Sequence, residues 1–231
     1  MTIARTPTMT KPGLAAPVDA QWLDRVAAAT SLLSRLLLGP PDGPLLAALS
    51  APDVWPDWPL REDDDSRAGL DWMSRSLAAE GAKGAEGLEQ LVADYQRLFL
   101  GPQRVLACPY ESVYLGDEHL TFGSQTLAVR QWYRRYGLRA PAEGREPDDH
   151  IGLELGFVSH LCVLGMDALE SGADTSAHEL HAVGAFASEH LLRWAGECLD
   201  HVAEGADTDF YRGVAGLTRG VLRTLEGDLC S

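Results

Sequence analysis

The chain has 231 residues, of which 45% are apolar and 23% are charged, ordinary values for a folded domain with a core of its own. No apolar run approaches the roughly 20 residues of a membrane-spanning helix, which disfavours stable membrane insertion. The formal net charge of −15 repels phosphate backbones, so it disfavours nucleic-acid binding and favours a basic partner.

The first part of the chain is predicted to change from disordered to helical. Thr, Pro and Gly are frequent in residues 1–18, which we expect to be disordered, and residues 19–231 are predicted to form one all-helical domain. Asp19 can cap a helix with apolar residues at three- and four-residue steps, which "GPPDGP" stops after Leu38. A short helix follows near residues 45–49, and a proline-rich loop comes next.

The middle of the chain contains three predicted helices and one long loop. Ser66 opens the first helix, and Gly101 ends the second, whose sequence is "AEGLEQLVADYQRLFL". Residues 102–123 form an aromatic-containing loop, and loops of this length in a compact domain are usually functional or disordered. Ser124 is predicted to cap the third helix, which Gly137 ends.

The last third of the chain is predicted to hold the central helix of the fold. Pro147 suits the first position of this helix, which runs to about Glu170 and is apolar nearly all round. Two more helices are predicted at about residues 176–203 and 207–225. Strand-like alternation is absent from the sequence, so the predicted fold class is all-α, a single domain of eight or more helices around a long central apolar helix.

The stretch "GREPDDHIGLELGFVSH", residues 144–160, places two acids, a histidine and a glutamate in or beside an apolar helix. Asp148 and Asp149 suit the first turn of that helix, where carboxylates interact favourably with free N–H groups and the macrodipole. This structural explanation covers neither His150, whose positive form is disfavoured there, nor Glu154, an acid within apolar surroundings.

Several functional explanations of these residues are open at this point. A metal-dependent helical-bundle enzyme would use His150, Glu154, His178 and His181, although the sequence lacks the Glu-x-x-His spacing of di-iron bundles. Nucleophilic catalysis is disfavoured because the G-x-S-x-G pattern is absent. Phosphate-loop and dinucleotide-binding patterns are absent as well. A polar recognition site beside the aromatic loop would suit a ligand with cationic and apolar parts, such as a basic peptide.

Four motifs carry a resemblance to a known family. They are "YQRLFLGP", "PYESVYL", "TFGSQTLAVRQWYRRYGL" and "EPDDHIGLELGFVSHL". Together they resemble the TorD/DmsD family of redox-enzyme maturation chaperones, with the DmsD branch closest, over about residues 20–225.

The resemblance implies a non-enzymatic, cytoplasmic chaperone with an all-helical fold and no cofactor of its own. Members of the family bind the twin-arginine signal peptide, and often the body, of the catalytic subunit of a molybdopterin oxidoreductase such as a DMSO or TMAO reductase. They assist cofactor insertion and delay export by the Tat translocon. Tat and cofactor-biosynthesis components are further candidate partners, and the active form is either a monomer or a homodimer. A general adaptor that binds mature protein surfaces and no leader is an alternative.

The resemblance also assigns binding residues by motif match. Asp149 is expected to pair with an arginine of the signal peptide, and His150 to hydrogen-bond the peptide or to orient Asp149. Tyrosines stand at three of the assigned positions where tryptophan is typical of the best-known members, which bears on the identity of the client. The signal-peptide-binding residues are Tyr95, Leu98, Phe99, Tyr110, Tyr114, Gly123, Asp149 and His150. The supporting residues are Ser112, Leu115, Glu146, Pro147 and Glu154.

Overall fold

The computed structural model describes residues 19–52, 54–60, 63–78, 86–101, 105–116, 120–172 and 176–229. The segment predicted to be disordered, residues 1–18, lies outside this described part. Within the described residues there are ten α-helices, one π-helical segment and no named strand, which confirms the all-α prediction. In chain order the helices are α1 (Ala20–Leu38), α2 (Gly43–Leu49), α3 (Asp64–Ser76), α4 (Leu88–Tyr95), the π segment (Gln96–Leu100), α5 (Glu111–Leu115), α6 (Ser124–Arg135), α7 (Ile151–Glu170), α8 (Ser176–Glu189), α9 (Leu191–Gly205) and α10 (Asp209–Leu229).

Helix α7 lies in the core, as its apolar sequence predicts. It packs against α1 on one side and against α8 on another. The Ser34 hydroxyl of α1 donates a hydrogen bond to the Gly152 carbonyl of α7 at 2.6 Å, and the Ser159 hydroxyl of α7 donates to the Ala27 carbonyl at 3.0 Å. These two bonds tie the helices together at both ends of their contact, so the first turn of α7 has a fixed place beside the end of α1.

The prediction that no apolar run reaches membrane-spanning length needs one correction. Helix α7 is long and apolar enough to cross a membrane by length and composition, and half of its most apolar stretch is buried inside the protein. A core helix that is apolar on every face passes the same test, because burial against α1 and α8 demands the same composition. Length and composition alone are therefore weak grounds for membrane insertion here.

Two distant carboxylates cap the start of α10 and position the helix that leads to the π segment. The buried Asp94 of α4 accepts hydrogen bonds from the Thr208 amide at 2.9 Å and the Thr208 hydroxyl at 2.6 Å. Glu86 accepts from the amides of Asp209 at 2.8 Å and Phe210 at 3.1 Å. Acids at a helix start satisfy its free N–H groups. The end of α4 is thereby held against α10.

The predicted start of the central helix at Pro147 is wrong, because α7 begins at Ile151. The backbone before Ile151 forms hydrogen bonds with the loop that precedes α5 instead of a helical turn. The Glu111 amide donates to the Asp149 carbonyl at 2.9 Å, and the Ile151 amide donates to the Pro109 carbonyl at 2.9 Å. This antiparallel bridge keeps the residues before Ile151 extended, so they cannot form a first helical turn.

Two other predicted boundaries also differ. The helix expected over residues 176–203 is broken at His190, whose backbone has φ −123° and ψ −92°. The His190 side chain contacts Glu111, and its Nδ1 lies 2.8 Å from the Glu111 Oε2. Helix α6 begins at Ser124, so its cap is Gly123, which has no side chain to accept a hydrogen bond. The Ser124 hydroxyl donates to the Gln125 side-chain oxygen at 3.1 Å. In the described part of the loop predicted over residues 102–123, the short helix α5 forms.

Candidate functional site

A cavity of about 530 Å³ opens where five parts of the chain meet. They are the end of α1, the π segment, the loop before α5, the segment before α7 and the first turn of α7. The wall is formed by Leu38, Gly39, Pro40, Tyr95, Leu100, Tyr110, Ala140, Pro141, Ala142, Glu146, Pro147, His150 and Leu153. Its size is within the range of small-molecule and peptide side-chain sites.

The cavity combines apolar surface with one carboxylate. Leu38 is 43% exposed and Leu100 is 62% exposed, unusually high values for leucines at the ends of helical segments. Glu146 is also exposed, and no ion pair with it occurs among the residues described. A ligand that places a positive group near Glu146 and apolar groups against the two leucines would match this surface.

The π segment holds Tyr95 in the cavity wall. The Tyr95 hydroxyl donates to the Leu37 carbonyl at 3.2 Å, and its ring packs against Phe99 with centroids 5.0 Å apart. Burial raises the pKa of Tyr95 to about 12, so the hydroxyl stays protonated. Single π turns of this kind are frequent at functional sites. Leu98 and Phe99, predicted as contacts, are buried beneath the wall and do not line the cavity.

The Tyr110 and His150 side chains form the opposite part of the wall. Their rings meet edge to face at 84° with centroids 5.2 Å apart, above the backbone bridge that joins the two residues. The His150 Nδ1 accepts a hydrogen bond from the Gly152 amide at 3.0 Å, which caps α7. Burial lowers the pKa of His150 to about 4, although the nearby Asp149 carboxylate opposes the shift. The ring is therefore neutral at pH 7, and its proton is on Nε2.

Asp149 is fully buried behind this wall and does not line the cavity. One carboxylate oxygen accepts a hydrogen bond from the Ser112 amide at 2.7 Å, and the other accepts from the Thr126 hydroxyl at 2.6 Å. The motif match predicts that this carboxylate pairs with an arginine of a bound peptide. In this structure each of its oxygens accepts a hydrogen bond from within the protein, and Asp149 does not line the cavity.

Asp148 is also used inside the protein. Its carboxylate pairs with Arg130 at 2.7 Å, and its backbone carbonyl accepts from the Tyr133 hydroxyl at 3.2 Å. Neither Asp148 nor Asp149 lies in the first turn of α7, so the explanation of both acids by the helix macrodipole is wrong. They anchor α6 and the loop to the segment before α7.

Glu154 is fully buried in α7 and does not line the cavity. One of its oxygens accepts from the Trp194 indole at 3.3 Å, and the other has no hydrogen-bond partner in the described structure. Burial, and then the charges of Glu111 and Asp149, raise the pKa of Glu154 well above its usual value. Burial therefore favours the protonated, neutral form of Glu154.

The remaining predicted residues form no part of the cavity wall. Tyr114 packs on Trp194 with centroids 5.3 Å apart, and its hydroxyl is 3.3 Å from Nδ1 of His201. Gly123 caps α6, and Ser112 is buried in α5. The predicted residues that the structure brings together are Tyr95, Tyr110, Glu146, Pro147 and His150. Those that it leaves outside the wall are Leu98, Phe99, Ser112, Tyr114, Leu115, Gly123, Asp149 and Glu154.

Most of the apolar residues of the wall are not among the predicted site residues. In the sequence, Leu38 and Leu100 belong to predicted helices, and no pattern connects them with residues 144–160. Each directly precedes the glycine at which its helical segment stops. An apolar residue at a helix end, with no following apolar partner, is the signal that could have identified them.

Comparison with known proteins places the chain in a family. A family model described as "Nitrate reductase delta subunit" matches residues 62–200. The chain is 31% identical over 186 residues to the Tat proofreading chaperone DmsD of Salmonella paratyphi A, covering 80% of this chain and 79% of that protein. It is also 31% identical over 195 residues to the chaperone protein TorD of Shewanella pealeana, covering 81% of each. The chain belongs to the TorD/DmsD family.

A third relative belongs to the same group of chaperones. Over 145 residues the chain is 32% identical to the probable Tat proofreading chaperone DmsD of Haemophilus influenzae, covering 62% of this chain and 64% of that protein. These TorD/DmsD relatives are named as chaperones and none is named as an enzyme. Those names support a non-enzymatic role for this chain.

The four residues of the metal-dependent alternative differ in their exposure. His150 and Glu154 are buried at the start of α7, whereas His178 and His181 are exposed on α8. In the described part of this TorD/DmsD member, no group of three or more His, Cys, Asp or Glu side chains is arranged to hold a metal ion. The four residues therefore do not form one ligand set.

Proposed function

We propose that this chain is a cytoplasmic chaperone for the catalytic subunit of a molybdopterin oxidoreductase, such as an enzyme of the DMSO or TMAO reductase type. It binds the twin-arginine signal peptide, and also the body of the subunit. By holding the precursor it assists cofactor insertion and delays Tat export. The observation that carries this proposal is the convergence of Tyr95, Tyr110, Glu146, Pro147 and His150 on one cavity. The names of the relatives support the same conclusion.

The chemistry of a twin-arginine leader matches the cavity. Such a leader has a positive segment followed by an apolar one. The Glu146 carboxylate can accept the planar hydrogen bonds of an arginine guanidinium, and the Tyr110 face can stack on it. Leu38 and Leu100 then offer exposed apolar surface to the following segment. The net charge of −15 attracts the leader from a distance.

His150 supplies a hydrogen-bond donor to the bound peptide. Because its Nδ1 is occupied by the Gly152 amide and the ring is neutral, Nε2 carries the proton. An N–H donor in the wall can bind a backbone carbonyl of an extended leader whatever the sequence of the leader. Its neutrality matters, because a positive His150 would repel the arginine.

A pull-down from the native cytoplasm under molybdenum-replete, anaerobic growth tests the function. We expect the tagged protein to retain the precursor of a molybdopterin oxidoreductase, identified by mass spectrometry. Deletion of the twin-arginine leader from that client should abolish retention or weaken it strongly. If binding is undiminished without the leader, the chain is instead an adaptor for mature protein surfaces. Failure to retain any such precursor contradicts the proposed function.

A further inference from the structure

We propose that Thr126 is a positioning residue for the peptide site, acting through Asp149. Its hydroxyl fixes the Asp149 carboxylate, and Asp149 in turn holds the backbone bridge that presents Tyr110 and His150 to the cavity. This inference rests on the proposed function, because it names the residue that fixes the position of Tyr110 and His150 in the wall of the peptide site. It also gives Asp149 a role that differs from direct pairing with arginine.

Three hydrogen bonds accepted by Asp149 support this inference, and we call this group of bonds the clamp. The Thr126 hydroxyl of α6 donates to Asp149 Oδ1 at 2.6 Å, and the Ser112 amide of α5 donates to Asp149 Oδ2 at 2.7 Å. The Asp149 backbone carbonyl accepts from the Glu111 amide at 2.9 Å. One residue therefore fastens α5 and α6 to the segment before α7. Charge-assisted bonds of these lengths are among the stronger hydrogen bonds in proteins.

The clamp lies directly behind the cavity wall. Tyr110 precedes Glu111, and His150 follows Asp149, so the two residues that line the cavity are the immediate chain neighbours of the residues in the clamp. The Ile151 amide completes the bridge by donating to the Pro109 carbonyl at 2.9 Å. A shift of Asp149 would therefore move the side chains of Tyr110 and His150 together.

Burial explains why Thr126 is needed. Thr126 is 1% exposed and Asp149 is 0% exposed, so water cannot replace the hydroxyl if it is removed. A buried carboxylate that loses one of its two donors is left with an unsatisfied oxygen. Movement of Asp149 toward solvent would relieve this and would break the bridge.

Direct pairing of Asp149 with a leader arginine leads to a different expectation. In that case the arginine would replace the Thr126 hydroxyl when the leader binds, and loss of the hydroxyl would leave affinity unchanged or improve it. The positioning role instead requires that affinity depend on a hydroxyl that never touches the peptide.

The test compares Thr126→Val, which keeps the shape and removes the hydroxyl, with Thr126→Ser, which keeps the hydroxyl. The control is Thr218→Val, because Thr218 is also fully buried but its hydroxyl bonds only to the Val214 carbonyl of its own helix. Affinity for a fluorescent synthetic twin-arginine leader is measured by anisotropy. We expect Thr126→Val to bind about tenfold more weakly, and Thr126→Ser and Thr218→Val to stay within about twofold of wild type.

Amide hydrogen exchange supplies a readout that a general loss of stability would not reproduce. In Thr126→Val the amides of Glu111 and Ile151 should exchange at least about tenfold faster, while those of α10 stay protected. Unchanged affinity of Thr126→Val overturns the inference, and so does unchanged exchange of these two amides. If Thr126→Val does not fold, Thr126→Ala takes its place in both measurements.

The two proposals can fail separately. If wild type does not bind the leader, the proposed function is wrong, and the exchange of the Glu111 and Ile151 amides still decides whether Thr126 holds the bridge. If wild type binds and Thr126→Val binds equally well, the function stands and the positioning role is wrong.

Discussion

Tyr110 and His150 are joined twice, by an antiparallel backbone bridge and by an edge-to-face contact of their rings at 5.2 Å. The bridge brings together a loop and a helix start that are 40 positions apart in the sequence. Both side chains then line one wall of the cavity. The motifs that contain Tyr110 and His150 are separate in the sequence, and this pairing makes them parts of one surface.

Glu146 is expected to supply the charge that selects a basic ligand. Glu146→Gln should weaken leader binding about three- to tenfold and reduce the dependence of the dissociation constant on salt, because a charge-assisted bond becomes a neutral one. Anisotropy titrations at several salt concentrations measure both effects. Glu170→Gln, at the far end of α7 and also exposed, is the control and should behave as wild type. Equal loss in both variants would mean that only the overall charge matters.

His150 is expected to make stability depend on pH in the acid range. Its folded pKa of about 4 lies below the unfolded value of 6.5, so the unfolded chain binds the proton more readily. This contribution is fully present above pH 6.5 and is lost as pH falls toward 4, by at most about 3 kcal/mol. Urea unfolding between pH 7 and 4 should show a shallower decline for His150→Asn, because asparagine can also cap α7.

The exposed His178 of α8 provides the control for this experiment. His178→Asn should retain the wild-type decline of stability with pH. If His150→Asn declines as steeply as wild type, protonation of His150 is not the cause.

Glu154 is expected to act in the opposite direction. Because its folded pKa is raised, its contribution to stability is fully present below pH 4.5 and is lost as pH rises toward the folded pKa. Glu154→Gln keeps an acceptor for the Trp194 indole and removes the ionisable group. We expect the variant to be more stable than wild type by about 1–3 kcal/mol at pH 7.5 and nearly equal to it at pH 4. A variant that is less stable at pH 7.5 would contradict a raised pKa for Glu154.

The contact between α3 and α10 is expected to tolerate no added methyl group. A Cβ at Gly216 would lie 2.8 Å from the Asp65 carbonyl oxygen and 3.1 Å from the Gly69 Cα, both backbone atoms that cannot rotate away. Gly216→Ala should therefore lower the free energy of unfolding by about 1–3 kcal/mol. Gly196→Ala, in the middle of α9 with open space around it, should raise it by about 0.5–1 kcal/mol. Urea unfolding of both variants checks the opposite signs, and a stabilised Gly216→Ala would refute the close packing.

Local sequence patterns located many helices but not the ends that matter for the site. Asp19 caps α1 as predicted, and its carboxylate oxygen accepts a hydrogen bond from the Trp22 amide at 2.9 Å. Pro147 failed as a helix start because the bridge to the loop competes for the same backbone. His190 broke a predicted helix because Glu111, 79 positions away, binds its side chain. In both cases a contact between distant segments overrode the local preference.

The sequence by itself determined the fold class, the central place of α7 and the family, because apolar periodicity and motif order are properties of the chain alone. It also supplied five of the 13 residues of the cavity wall, which are Tyr95, Tyr110, Glu146, Pro147 and His150. Only the tertiary structure decided which acids face a ligand. Asp149 and Glu146 look alike in sequence, but the donors that bury Asp149 come from α5 and α6, whereas the structure leaves Glu146 exposed in the cavity wall. Burial depends on neighbours that folding brings together, and a linear pattern does not contain them.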